Sequence, residues 1–292
     1  MLALPFPATD ELKLADWLEL YALLSPAGIS SRGYLERSLR SSAVLSNDTA
    51  IEQKCVQVFS ELKQREKSAH RAYPFESKGI ELRLKSSLED FPAYAFCLCL
   101  SFFQWQQQRA SKIFPRRMFE ALACTAAGNY IHGEVLRFAS PREQLSKEFK
   151  KAVTELCLFM GEGNGFRDQP TLSSKDDTLD VVARRNFPDA LPGKLLLFGQ
   201  CASGNDWEDK IDELQPRSFC EDWMLEVPVS PIIKAFFIPH CVNLQKRNKI
   251  SRRAGIVFDR CRIAYWVHQQ AGFSGKERYL NWCRTVLAKA SA

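Results

Sequence analysis

The sequence predicts an α/β protein in two parts, a helical module over residues 1–140 and an α/β sandwich over residues 141–292. Three observations carry this reading. Apolar residues recur at helical spacing through most of the first part. From Pro141 onward, short apolar runs bounded by turn residues take over. Those runs alternate with amphipathic segments, the order that lays helices on a sheet.

Asp10 or Thr9 caps a first helix through Leu12, Leu14, Trp17, Leu18, Tyr21 and Leu24, which Pro26 and Gly28 stop. Residues 47–70 carry Ile51, Val56, Val58, Phe59 and Leu62 and form a second, amphipathic helix. Residues 91–108 and 115–138 supply two more, with Pro115 suited to a first helical position. Arg109, Lys112, Arg116 and Arg117 cluster at their junction, which fits a solvated helix end or a phosphate contact. Residues 142–161 form a helix with Leu145, Phe149, Ala152, Val153, Leu156 and Met160 on one face, stopped by the glycines at 161–165. Residues 179–183 read as a short strand, 186–193 as a turn-rich connection and 194–201 as a buried strand. A helix through Trp207, Ile211 and Leu214 follows, ended by Pro216. Residues 232–238 and 255–258 are further strands, and 275–290 close the chain as a helix.

Composition bounds the function classes. A chain of 292 residues, 46% hydrophobic and 25% charged, builds a sizeable core. A net charge of +6 suits a polyanionic partner and equally suits simple solubility. Ten cysteines without a C-x-x-C pair, mostly inside apolar runs, point to buried reduced thiols and a reducing cytoplasm, and argue against structural zinc. Met1 to Pro7 is apolar but broken by prolines and followed by Asp10, Glu11 and Asp16, so no secretory leader is expected. The longest apolar stretch, residues 91–105, is too short for a bilayer, so no membrane partner is expected. Gly-x-Ser-x-Gly, Walker and H-E-x-x-H motifs are all missing from the sequence.

The chemistry concentrates in Asp176-Asp177-Thr178-Leu179-Asp180-Val181-Val182 and in Gly199-Gln200-Cys201-Ala202. An aspartate opening one strand and a glutamine near the end of the next share one face of a hairpin. Carboxylate and amide oxygens are hard ligands suited to Mg²⁺ or Mn²⁺. Such a metal polarises a phosphodiester and lowers the pKa of an attacking water. The alternative is a turn capped by Asp176 and Asp177, with Gln200 a satisfied strand-end amide.

The helix–strand–strand–helix order, with D-x-x-L-D and a hydrophobic strand ending in Gln-x, resembles the Mrr-like restriction endonuclease branch of the PD-(D/E)XK nuclease superfamily. The resemblance covers residues 142–260. It implies a restriction-endonuclease-like α/β/α sandwich in which Asp180 binds metal, Gln200 is its partner and Asp176 is the first acidic residue of the loop. Where the family places a lysine, this chain has Ala202, and Lys210 on the following helix is the natural substitute, with Lys194 or a basic-loop residue behind it. The superfamily often adds a carboxylate from the preceding helix, for which Glu155 leads and Glu148 and Glu162 follow on the same flank. Lys246, Arg247, Lys249, Arg252 and Arg253 form a basic loop between the last two strands, placed for contact with a DNA backbone.

The function these residues imply is Mg²⁺- or Mn²⁺-dependent endonucleolytic cleavage of DNA. The resemblance implies a setting in restriction or antiviral defence, with protein partner subunits or as a homodimer. Residues 1–140 would supply DNA grip or partner docking. Two rival readings remain: a catalytically inactive DNA-binding module of the same fold, and an interaction adaptor in which the helical module carries the function.

Overall fold

The structure, a computed structural model, describes residues 2–45, 47–103, 115–168, 178–269, 273 and 275–291. Among the described residues it is a mixed α/β protein with ten α-helices and two sheets. In chain order the elements are α1 (Glu11–Leu24), β1 (Ile29–Ser31), α2 (Arg32–Ser42), α3 (Asp48–Ala69), β2 (Phe75–Lys78), β3 (Glu81–Leu84), α4 (Pro92–Phe103) and α5 (Pro115–Ile131). These are followed by β4 (Glu134–Arg137), α6 (Phe149–Met160), β5 (Val181–Arg185), β6 (Leu195–Cys201), α7 (Pro216–Trp223), β7 (Ile232–Phe237), α8 (Leu244–Ala254), β8 (Ile256–Phe258), α9 (Arg260–His268) and α10 (Lys276–Ser291).

The chain divides into two compact units, and the cut is not the single one at residue 140. A helical unit contains residues 1–115, 239–243 and 260–292, and a sheet unit contains 116–238 and 244–259. The C-terminal helices α9 and α10 therefore pack with the N-terminal ones: α10 and α9 lie against α4, and α9 lies against α3. Arg260 shows why, since its guanidinium is fully buried on the Asp16 carboxylate of α1.

In the helical unit, Asp10 accepts hydrogen bonds from the Leu12 and Lys13 amides, so the expected cap of α1 forms, and Asn47 caps α3 by accepting one from the Ala50 amide. The unit is not purely helical. A three-stranded antiparallel sheet in the order β1-β3-β2 was not legible, because its strands have only three or four residues each. At the centre of the unit lies a buried charge network. Arg65 bonds Asp16 at 2.6 Å, Glu19 at 3.1 Å and Glu61 at 2.9 Å, and Arg260 bonds Asp16 at 2.7 Å and Ser101 at 2.6 Å. The Tyr73 and Tyr94 hydroxyls donate to Glu19 at 2.8 and 2.9 Å. Burial by itself would raise the Asp16 carboxyl, but Arg260 and then Arg65 bring it down to about 2. Glu19 goes the other way, raised by burial despite the same arginines.

The sheet unit is built on a mixed five-stranded sheet in the order β4-β5-β6-β7-β8. β5 runs antiparallel to β4 and β6, whereas β6, β7 and β8 are parallel. Leu196 and Phe198 of β6 and Val182 of β5 pack with Ala152, Val153 and Leu156 of α6 and with Phe219, Cys220 and Trp223 of α7. Burying that many large apolar side chains supplies the unit's main stabilisation, at roughly 1.5–3 kcal/mol for each fully buried one.

Several expected elements took another form. The helix expected over 115–138 stops at Ile131, and β4 occupies its last turn. His132 turns left-handed at φ 50°, and Gly133 passes so close to the Arg184 carbonyl that a Cβ would collide with it. Residues 142–148 precede α6 rather than belong to it, and Gly161 closes α6 in the left-handed conformation. Pro216 begins α7 instead of ending a helix, and the segment before it is a short 3-10 helix, Trp207–Lys210. The basic segment at 246–253 is not a loop but helix α8. It anchors only Ile250 and Ala254, four residues apart, a stripe too narrow to read from the sequence.

Candidate functional site

Asp180 sits immediately before β5 and is buried at 2% exposure, between Leu179 and Val181, both fully buried. Its backbone ties three strands together. The Asp180 amide donates to the Gly199 carbonyl at 2.9 Å, and the Asp180 carbonyl accepts from Phe138 and Ala139 at 2.8 and 3.2 Å. Its side chain then extends the sheet, because Oδ2 accepts from the Cys201 amide at 2.7 Å. That amide belongs to the peptide joining Gln200 to Cys201, so the carboxylate lies against the backbone of the expected partner residue. Gly199, the residue before Gln200, leaves room for a neighbouring ring: a Cβ there would stand 2.5 Å from Phe237.

Gln200 is buried at 4% exposure on β6. Its Nε2 donates to Glu213 Oε2 at 2.6 Å. Its Oε1 is buried and receives no hydrogen bond from any of the described residues. A buried acceptor without a donor costs about 1–3 kcal/mol, so its survival at a strand end is informative. The expectation of a satisfied strand-end amide therefore holds for one end of this side chain only.

The other candidates have different partners. Glu155 accepts from the Ser146 amide and hydroxyl at 2.8 and 2.6 Å, and the hydroxyl bond chiefly holds its carboxyl below the usual range. Glu148 pairs with Lys151 at 2.9 Å, and Glu162 accepts from the Ser230 amide at 2.9 Å. Lys210 ends the 3-10 helix and pairs with Asp206 at 3.1 Å. Lys194 is spent at the opposite end of β6, where Nζ donates to the Met160 and Ala190 carbonyls at 3.1 and 3.3 Å. Seven strand residues separate it from the Cys201 end, about 20 Å at 3.3 Å per residue. Ala202 is buried, with its amide on the Phe237 carbonyl. Asp176, Asp177, Arg109 and Lys112 lie outside the described residues.

Two acidic residues escaped the sequence reading. Glu213 lies in an irregular turn, where no period marks it. Glu120 of α5 is 1% exposed and carries Arg137 at 2.7 Å and Arg116 at 3.2 Å. Nothing near Glu120 in the sequence names Arg137, 17 positions away, as its partner. Burial pushes the Cys201 thiol well above its ordinary value, and Asp180 and then Glu120 add to the effect. Cys124 of α5 is pushed up to about 12, chiefly by burial, with Glu120 and Asp180 again contributing. Both thiols are therefore protonated at neutral pH, and neither is a nucleophile. All ten cysteines are buried thiols.

Helix α8 divides its cations. Arg247 is paired with Asp259, Arg253 with Asp212, and Lys246 with Glu208 at 3.6 Å. Lys249 and Arg252 are exposed. Three of the five expected phosphate contacts, Lys246, Arg247 and Arg253, are thus engaged with the protein's own carboxylates.

Among the described residues, no three histidine, cysteine, aspartate or glutamate side chains gather to hold a metal ion. Among the same residues, no helix is long and apolar enough to cross a membrane. No protein-family model matches the chain, and no curated protein or solved structure matches it either.

Proposed function

We propose that the sheet unit is a metal-dependent DNA endonuclease whose site lies at the head of β5 and the tail of β6. One observation carries the reading: Gln200 Oε1, a hard acceptor buried without a donor, stands on the strand whose next peptide is bonded to the Asp180 carboxylate. The order α6–β5–β6–α7–β7 also supplies the helix–strand–strand–helix sequence on which the resemblance to Mrr-like nucleases rests.

The donor set fits Mg²⁺ or Mn²⁺ better than zinc. It offers oxygens rather than thiolates, and magnesium accepts one or two protein ligands, completing its shell with water and phosphate. Asp180 and Gln200 would hold the ion. When bound, it would neutralise charge on a scissile phosphodiester and acidify a water. Asp180 contributes the fixed negative charge, and its Cys201 bond keeps the carboxylate from turning away. Lys249 and Arg252 would hold backbone phosphates without reading bases. The helical unit would add grip or a docking face for other subunits of a restriction or antiviral defence system.

Ala202 and the Lys210–Asp206 pair favour a second reading, a DNA-binding module of the same fold that does not cut. Nicking of supercoiled plasmid with Mg²⁺ or Mn²⁺ separates the two. The nuclease reading expects nicking by the wild type, none with EDTA and none by Asp180→Ala. Binding without nicking selects the inactive module. Lys210→Ala then tests the displaced lysine: unchanged cutting would remove it from the mechanism.

A further inference from the structure

Resting on that metal-site reading, we infer that Glu213 is a positioning residue that sets which end of the Gln200 amide faces the cation. A primary amide has a donor end and an acceptor end, whereas an ionised carboxylate only accepts. The 2.6 Å bond from Gln200 Nε2 to Glu213 Oε2 therefore fixes the sense of the amide and turns Oε1 away from Glu213. There Oε1 is buried with no competing donor among the described residues. The terminal torsion of glutamine is broad and roughly two-fold, so without Glu213 the same side chain could present its NH₂, which repels a cation.

Glu213 is well held for this task. Its amide donates to the Lys210 carbonyl at 3.2 Å, and the next residue, Leu214, is 1% exposed in the core of the sheet unit. The preceding residue, Asp212, is paired with Arg253 of α8. The turn is thus fastened on both sides of Glu213, whose own side chain is at the surface. Groups that orient a metal ligand without touching the metal typically contribute 10–100-fold in affinity.

The test is titration of the full-length chain with Mn²⁺ alone, by calorimetry, for the wild type, Glu213→Gln, Gln200→Glu and the double variant Gln200→Glu/Glu213→Gln. Glu213→Gln, an exposed and near-isosteric change, should weaken Mn²⁺ binding about tenfold, because two amides pair in either sense. The double variant should recover binding to the wild-type level or better. In it the amide introduced at position 213 donates to the carboxylate introduced at position 200, whose second oxygen is left for the ion. The loss in Glu213→Gln should persist in about 1 M KCl, where the Debye length falls to about 3 Å. A loss that vanishes at high salt would assign Glu213 a charge effect and overturn positioning. Wild-type affinity in Glu213→Gln overturns it too, while leaving the metal site standing. Failure of the wild type to bind Mn²⁺ overturns the metal reading and this inference together.

Discussion

The buried charges of the helical unit and the buried amide of the sheet unit are equally hidden from water, yet they ask different things of their surroundings. Asp16, Glu19, Arg65 and Arg260 carry four formal charges within the helical unit, and each has partners of opposite charge. Gln200 carries no charge, and one of its two polar ends has no partner among the described residues. Burial alone does not describe such groups; they differ in how completely the surrounding protein satisfies them. A closed network rigidifies, whereas a buried acceptor without a donor keeps an unused lone pair.

The largest effect should come from opening the closed network. Arg260→Met leaves Asp16 with one arginine instead of two, in a site largely closed to water. Breaking one side of a buried ion pair costs about 3–5 kcal/mol, read as a drop in the urea midpoint. An unchanged midpoint would mean that the network is not what joins α9 to α1.

The pH dependence of stability comes next. The folded Asp16 carboxyl, at about 2, lies below its ordinary value of 3.8. A depressed acid contributes stability above its unfolded pKa and loses it as the pH falls through the folded one. The Asp16 contribution, on the order of 2 kcal/mol, is therefore present above about pH 4 and fades toward pH 2. Glu19, raised by burial, has the opposite sign and gains relative stability on protonation. Asp16→Asn should be less stable than wild type at pH 7 and show a flatter acid limb between pH 4 and 2. Parallel acid limbs for the two proteins would remove Asp16 as the source.

The open site should respond with the opposite sign. Gln200→Leu removes the orphaned oxygen along with one hydrogen bond to an exposed carboxylate. The net effect should be a gain of about 1 kcal/mol, because an unsatisfied buried acceptor costs more than a single surface-facing bond contributes. The same variant should lose any Mn²⁺-induced rise in melting temperature. Destabilisation comparable to Arg260→Met would show that Gln200 is as fully satisfied as the helical network, and the contrast would collapse.

The smallest stability change belongs to α8. Lys249→Ala/Arg252→Ala should alter stability by no more than about 0.5 kcal/mol. It should nevertheless reduce the salt slope of DNA binding by about two, one for each lost phosphate contact. Arg253→Ala, by contrast, also breaks the pair with Asp212 and disturbs the turn that carries Glu213. An unchanged salt slope in the Lys249/Arg252 variant would make α8 ordinary solvated surface.

By itself the sequence determined the mixed α/β class, the Asp10 helix cap, and the pairing of the segments that hold Asp180 and Gln200. These depend on local periodicity and on side chains that bond amides two or three residues away, which a linear reading can follow. Tertiary structure alone decided that α9 and α10 return to the N-terminal helices, because a fully buried Arg260 has to find Asp16, and nothing in its neighbourhood names a partner 244 positions away. It also decided that Glu155 serves Ser146 while Glu213 serves Gln200. A carboxylate on a helix flank and one in an irregular turn look alike in the sequence, and only the fold shows which of them reaches a buried amide.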